Sequence, residues 1–454
     1  MRIAIVGTGR VGLVTGVSLA SLGHDVIGVD ANLETVELLT QGRCSFYEPG
    51  LQEMLEEQMG AERIRFTGSV RDALPGARVV FICVGRPAGA NGDLSMTAVE
   101  AVARDVALHA SNGVVVVVKS TVPPGTCERI ERTIRLERPG LQFHVVSSPE
   151  FLREGFAVQD TLHPDRIVVG ASEDRVFKVV RDVYRAMLSA GCMLIETDRR
   201  TAELAKLASN SFLATKVSFA NAIGQLCELT NADVHGVAEI MGADPRIGSA
   251  FLRAGIGYGG YCLPKDVTSL HRLAARHGYR FDLLTEVARV NDDAVSRVAA
   301  KVEDALWNLE GKRVALLGLA FKAGTDDIRS APALALARLL IDGGAEVVGC
   351  DPMAAGVAKD AVTEMRTFTD PYEAADGAHC VVICTEWEEF RDLDWTRVRR
   401  AMAYPVLVDG RNLLHPGSMR EAGFLYIGVG RAGRQPGPAG EGPPADLYPE
   451  AARG

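Results

Sequence analysis

The sequence predicts an α/β protein with two Rossmann-like, doubly wound parallel sheets joined by a long central helix and a helical middle region. Three observations carry this. Strand-length apolar runs alternate with helical patterns through the first third, one unbroken helical stretch opens the middle third, and the alternation starts again in the last third. Strands alternating with helices imply parallel pairing through right-handed crossovers, with helices on both faces of each sheet.

Arg2–Val6 reads as a buried strand, the stretch after it as a helix, and Asp25–Val29 as a second strand. Further strand candidates are Arg78–Val84, Val114–Lys119 and Phe143–Ser147. From Asp198 to about Thr230 there is no proline, and the first glycine is Gly224. Small and apolar residues occupy more than one face there, so this helix is expected to be buried on several sides, joining domains or forming a dimer core. A glycine-rich loop from Gly255 to Gly260 interrupts the helical sequence that follows, and a new helix is expected to begin near Asp266. The last third echoes the first: KRVALLG at 312–318 resembles RIAIVG at 2–7, AEVVGCD at 345–351 resembles HDVIGVD at 24–30, and HCVVICTE at 379–386 resembles RVVFICVG at 78–85. The expected division is 1–197 for a dinucleotide-binding domain, 198–305 for a helical, dimer-forming middle domain, and 306–430 for a second Rossmann-like domain. The Pro-, Gly- and Ala-rich tail at 431–454 is expected to be disordered.

Composition narrows the function. A 47% hydrophobic, 24% charged chain of 454 residues is ordinary for a globular protein. Its net charge of −9 argues against nucleic acid as a partner. The longest apolar run, Val114–Val118, is far too short to cross a membrane, and the opening MRIAIVG runs into glycines without a signal-peptide pattern. Nine scattered cysteines with no CxxC pair read as reduced thiols of a cytoplasmic protein, with no metal site expected.

Gly7-Thr8-Gly9-Arg10-Val11-Gly12 is a GxGxxG pattern between a strand and a helix. Gly7 allows the tight turn, Gly9 lets the backbone approach a pyrophosphate, and Gly12 permits close packing of helix on strand. The helix start at Arg10 and Val11 offers unpaired N–H groups and a positive dipole end to the phosphates. Asp30 ends the second strand where a carboxylate would bond the adenosine ribose, which favours NAD over NADP. The second unit has Gly318-Leu319-Ala320-Phe321-Lys322 in place of the fingerprint, so it either binds a different nucleotide or shares only the fold.

Cys262 stands apart from the other cysteines. It lies in Gly259-Gly260-Tyr261-Cys262-Leu263-Pro264-Lys265-Asp266, next to a helix start and a lysine, where a lowered thiol pKa is expected. The remaining cysteines fall mostly in apolar strands or helices, as small core residues.

With these motifs in order, the chain resembles the UDP-glucose/GDP-mannose dehydrogenase family from Met1 to about Gly430. The resemblance rests on GTGRVG, YEPGL at 47–51, KSTVPPGT at 119–126, SPEFLREG at 148–155, HPDRIVVG, AELAKLASNSFLATK at 202–216, GYGGYCLPKDV, FKAGTDDIR at 321–329 and DGRNLL at 409–414. It implies two successive oxidations at one carbon of a nucleotide sugar, alcohol to aldehyde to acid, with NAD as acceptor. Cys262 would hold the aldehyde as a thiohemiacetal and then as a thioester. Lys206 and Asn210, an i, i+4 pair on one helix face, would donate to the developing oxyanion. Asp266 would orient or deprotonate the thiol or the hydrolytic water, and it is also well placed as an N-cap. Glu150 would be the general base for hydrolysis, and Thr121 would hold the nicotinamide region or a water.

The same resemblance assigns Glu154, Lys265 and Arg329 to the cofactor side. It gives Glu150, Phe151, Leu152, Glu154, Tyr258, Gly259, Phe321, Lys322 and Arg411 to the sugar-nucleotide side, with Arg246 reaching it across a dimer interface. Lys206 and Asn210 could otherwise be solvated helix polars, and Glu150 and Glu154 could form a helix-entry cap. DPRIG followed by GIGYGG leans towards the UDP-glucose branch, with the GDP-mannose branch as the alternative. Three positions depart from the family pattern: Tyr261 for a serine, Arg86 for a threonine, and Ser330 for an acid. A two-electron hydroxyacid-type dehydrogenase, or a non-catalytic nucleotide-sugar sensor, would share the scaffold without needing Cys262.

Overall fold

A computed structural model describes residues 1–85 and 95–431. The first sheet contains β1 (Arg2–Val6), β2 (Asp25–Val29), β3 (Ile64–Thr67), β4 (Val79–Ile82), β5 (Val114–Val118), β6 (Phe143–Ser147), β7 (Arg166–Gly170) and β8 (Met193–Thr197), in the order β3-β2-β1-β4-β5-β6-β7-β8. The second contains β9 (Arg313–Leu317), β10 (Glu346–Cys350), β11 (Arg366–Phe368), β12 (Cys380–Ile383), β13 (Val406–Asp409) and β14 (Leu425–Gly428), in the order β11-β10-β9-β12-β13-β14. The two orders are the same for six strands, so the echo in the sequence is an echo of topology. Each sheet reverses its winding beside its first strand, between β1 and β4 and between β9 and β12, where doubly wound folds bind ligands.

Continuous apolar runs make these strands because both faces are covered. The five valines of β5 are buried, as are the central strands of the second sheet. One step departs from the expected parallel sheet. β7 meets β6 antiparallel, and the two pair only at Ser147 and Gly170. A parallel return needs a full crossover. The connection here holds only the short helix Ala157–Leu162, and its remainder runs past the strand ends as a loop.

The long helix spans Arg199–Thr230. Asp198 caps its start by accepting from Thr201 N at 2.9 Å, and Asn231 ends it in the left-handed region at φ 57°. One face packs on the helices Cys262–Arg276 and Asp282–Leu306. The expectation of burial on several sides is corrected here. Leu204, Phe212, Phe219, Leu226 and Leu229 are exposed. Phe212, Phe219 and Leu226 recur every seventh residue, the spacing of a seam that faces another helix. The small residues seen in the sequence line the other, buried side. Among the described residues, no helix is long and apolar enough to cross a membrane. The tail at 432–454 and Arg86 lie outside the described residues.

Candidate active site

The glycine loop follows β1 directly. Gly7 has φ 94°, and a Cβ there would lie 2.8 Å from the Cys83–Val84 backbone; one on Gly12 would lie 1.8 Å from Gly7 O. At Gly9 nothing lies within 4 Å of the point a Cβ would occupy, so the space above it is open. Gly9 is also the N-cap of the helix Arg10–Ser21 and offers no side chain to its first N–H groups. Open space over bare helix N–H groups fits a dinucleotide pyrophosphate. Asp30 accepts from Thr8 N at 2.8 Å and from Thr8 Oγ1 at 3.0 Å, which fixes the carboxylate at the rim. These residues fit NAD. The Arg10 side chain is committed elsewhere, donating to Thr325 Oγ1 at 3.1 Å and pairing with Asp326 at 2.5 Å. It joins the first domain to the last rather than facing a phosphate.

The second cluster is drawn from four segments. The long helix supplies Lys206 and Asn210, both buried, so the solvated alternative is discarded. Lys206 Nζ lies 3.0 Å from Glu150 Oε1 and 3.4 Å from Asn210 Oδ1, and 5.3 Å from the centre of the Phe151 ring. Asn210 Nδ2 donates to Asp266 Oδ2 at 2.6 Å. Asp266 is fully buried, and its other oxygen pairs with Lys265. Glu150 accepts from Leu152 N at 2.8 Å, a turn within its own loop; neither it nor Glu154 caps a helix. Thr121 is buried in the loop after β5.

Cys262 is itself the first residue of the helix Cys262–Arg276, whose start therefore comes earlier than expected. Asp266 lies inside that helix and is not its N-cap. The expected lowering of the thiol pKa is also corrected. Burial and then Glu150, with Asp266 and Glu154 adding, push the Cys262 thiol up to about 12 against the pull of Lys206. Three carboxylates outweigh one ammonium. Burial by itself would lower the Lys206 ammonium, but Glu150, Cys262 and Asp266 hold it above its usual range.

A third cluster adjoins these two. Glu154 lies 3.7 Å from Arg10 and 3.7 Å from Arg329, and Arg329 Nε donates to Asp327 Oδ1 at 2.8 Å. Burial and then Asp327 push the Glu154 carboxyl up to about 7, against Arg10 and Arg329. The Tyr261 ring is stacked with both Arg329, at 4.4 Å, and Lys265, at 5.3 Å. Ser330 adopts φ 47°, and its carbonyl would meet a Cβ on Gly259 at 2.2 Å, so only glycine fits at 259. A Cβ on Gly260, at φ 78°, would lie 2.8 Å from the Phe321 ring.

Arg411 donates to the carbonyls of Cys384 at 2.8 Å, Gly257 at 3.1 Å and Phe321 at 3.0 Å, binding the glycine loop to the second sheet. Tyr258 is held by Asn291 through both its backbone N–H and its carbonyl. Lys322 is half-buried, and desolvation lowers its ammonium pKa against Glu154, Glu386 and Glu48. Arg246 does not join the site: it is exposed and pairs with Asp244 at 2.5 Å. Sequence reasoning missed Glu48, which accepts from Gly155 N at 2.8 Å and Ala157 N at 2.7 Å and shapes the Glu150–Gly155 loop. It also missed Asp326 and Asp327. The signal was an acid inside an otherwise apolar or glycine-rich motif, YEPGL and FKAGTDDIR. Among the described residues, no cluster of His, Cys, Asp and Glu could hold a metal ion.

Comparison with known proteins covers most of the chain. Models of the UDP-glucose/GDP-mannose dehydrogenase family match at residues 1–188 (NAD binding domain), 200–293 (central domain) and 315–416 (UDP binding domain). A UDP-glucose 6-dehydrogenase of Pseudomonas aeruginosa is 42% identical over 444 residues, covering 95% of this chain and 98% of that one. One from Rhizobium meliloti is 42% identical over 435 residues, 95% of this chain and all of that protein. Among solved structures, a UDP-glucose dehydrogenase from the archaeon Pyrobaculum islandicum superposes with a TM-score of 0.87 at 39% identity, over 95% of this chain and 98% of that one.

Proposed function

Because this chain belongs to the UDP-glucose/GDP-mannose dehydrogenase family, and is an NAD-dependent nucleotide-sugar dehydrogenase, we propose that it oxidises the C6 alcohol of UDP-glucose to a carboxylate through a thioester on Cys262. The observation that supports this most is the buried chain Glu150–Lys206–Asn210–Asp266 beside the Cys262 thiol. UDP-glucose is favoured because the relatives at 42% identity carry that activity in their names.

NAD held at Gly7, Gly9, Gly12 and Asp30 supplies the acceptor for both oxidations. The protein does the rest. Lys206 has three N–H donors, two already engaged by Glu150 and Asn210, so one is left for a substrate oxygen. Its raised pKa keeps it charged as negative charge builds on that oxygen. The aldehyde carbon is attacked by Cys262 Sγ, forming the C–S bond, while the thiol proton passes to Asp266. With a pKa near 12 the resting thiol stays protonated, so proton removal accompanies attack rather than preceding it. As the oxyanion re-forms the carbonyl, the carbon-bound hydrogen would leave as hydride, two electrons and one proton, to the acceptor, giving the thioester. Water then attacks it, Glu150 takes the proton of the water, and the C–S bond breaks as Asp266 returns its proton to sulfur, which releases the acid and restores the thiol. Thr121 positions that water or the nicotinamide region. Glu154, Lys265 and Arg329 line the cofactor side; Phe151, Leu152, Tyr258, Gly259, Phe321, Lys322 and Arg411 line the sugar-nucleotide side.

The same reading includes a homodimer or higher oligomer. Its support is the exposed apolar stripe of the long helix, and the position of Arg246 outside the protomer's own site. It also assigns NAD binding to 1–197, dimer formation and the cysteine loop to 198–305, and UDP-sugar binding to 306–430.

The test is the molar ratio of NADH formed to sugar consumed, run to completion. UDP-glucose should give a ratio of about two, and Cys262→Ser should form no acid. A ratio of about one in both proteins would sink the covalent route. A ratio of about two with GDP-mannose instead would overturn the choice of sugar.

A further inference from the structure

Glu203 lies on the long helix, is only 1% exposed, and belongs to none of the three clusters above. Its Oε2 accepts from Gly125 N at 2.6 Å, and its Oε1 accepts from Cys127 N at 2.8 Å. These N–H groups open the helix Thr126–Glu137, whose N-cap is Gly125 at φ 92°. A glycine N-cap has no side chain to accept from its own helix. The missing acceptor is provided instead by a carboxylate from another helix, 76 to 78 residues away in the chain.

The loop between β5 and this capped helix carries Thr121. Its near end is fastened by Ser120 Oγ, which donates to Val84 O at 2.9 Å. Its far end is fastened by Thr126 Oγ1 on Pro123 O at 2.6 Å and by the two bonds to Glu203. Glu203 stands one turn before Lys206 and two before Asn210, within the same buried stripe of the long helix. One rigid element therefore presents the anchor of the Thr121 loop and the Lys206–Asn210 pair at a fixed separation.

We propose that Glu203 is a positioning residue: it acts through the 120–126 loop to hold Thr121 at a set distance from Lys206 and Cys262, without itself touching substrate. This rests on the catalytic reading of Lys206 and Thr121 given above. A plain helix cap would affect stability only. A positioning residue affects turnover, and does so only while Thr121 is there to be positioned.

The experiment is a double-mutant cycle on the full-length protein, measuring kcat, both KM values and Tm for Glu203→Ala, Thr121→Ala and the pair, all assayed well below the lowest melting temperature. Glu203→Ala should lower kcat by about 10- to 100-fold, the cost of a misplacement near an ångström, with KM for each substrate within about threefold. In the Thr121→Ala background the same substitution should cost less than about threefold, because coupled residues are not additive. A fall in Tm with kcat unchanged overturns the proposal, and so do fully multiplicative losses in kcat. Should Glu203→Ala fail to fold, Glu203→Gln keeps one acceptor and reads the same cycle at smaller amplitude. Lys206→Ala is measured alongside: full activity there defeats the catalytic reading itself, whereas loss of activity there with no Glu203–Thr121 coupling defeats only the positioning role.

Discussion

The two sheets begin with the same device and put it to different uses. Gly7 and Gly318 both follow the first strand of their sheet with nearly the same backbone angle, φ 94° and 93°, and both units place an aspartate after the second strand, Asp30 and Asp351. In the first sheet the helix starts at once, at Arg10, over an exposed Gly9, and Asp30 stays at the rim. In the second, Leu319 and Ala320 go into the core, and the next helix does not start until Pro332. Asp351 is fully buried and accepts from the N–H groups of Leu319, Ala320, Met353 and Ala354 and from Trp387 Nε1. A ribose cannot reach it. The same residue is a rim group in one half and a structural hub in the other, and what decides is the distance from glycine to helix. The detour at 321–331 in the second half is what carries Asp326 and Asp327 across to Arg10.

The comparison breaks first if the two aspartates respond alike. Asp351→Asn should cost about 3 kcal/mol of stability, because an amide turns a donor towards buried donors, and NAD affinity of the folded protein should not change. Asp30→Asn should do the reverse: a stability loss within about 1 kcal/mol and an NAD Kd about tenfold weaker. Thermal melting and NAD titration of both variants decide it, and equal effects on Tm would refute the division.

Gly9→Ala sharpens the same contrast. Gly9 has φ −70°, which alanine adopts freely, and nothing crowds its Cβ position. Tm should stay within about a degree, while the NAD Kd rises about tenfold or more through loss of close backbone approach. Unchanged NAD binding would mean that the phosphates lie elsewhere.

The smallest effect concerns the contact between the halves. The Glu154 carboxyl, raised by burial and Asp327 from 4.5 to about 7, favours the folded state when protonated. That contribution is fully present below the unfolded value near 4.5 and is lost as pH rises through about 7. Glu154→Gln should match wild type at pH about 4 and become progressively the more stable of the two as pH rises to about 8. Parallel Tm-against-pH curves for the two proteins would rule this out.

Much of this was readable in the chain. The starts of β1, β2, β9 and β10 stand out as buried runs, and the echo between the thirds pointed to the repeated topology. The reversal at β7 was not visible, since a strand's direction is set by its connection and not by its own pattern. The glycine loop singled out Cys262, but its proton affinity depends on Glu150, far off in sequence, and on Asp266 being buried rather than capping. Likewise the fingerprint speaks for the Arg10 backbone N–H and says nothing of where its side chain goes. Its partners lie more than 300 residues away.

The long helix has one more consequence, for which lengths this protein can tolerate. Between Arg199 and Asn210 it meets, in turn, Glu131, the Gly125–Cys127 turn, Glu150 and Asp266. Those contacts come from three separate parts of the chain along about 16 Å of helix. One inserted residue anywhere in that interval would rotate everything beyond it by about 100° and advance it by about 1.5 Å, so every later contact would miss its partner at once. The interval behaves as a ruler with no spare graduation. Insertions that a surface loop absorbs freely would here separate the cysteine from its lysine, and changes in chain length should therefore be confined to the loops outside 199–210.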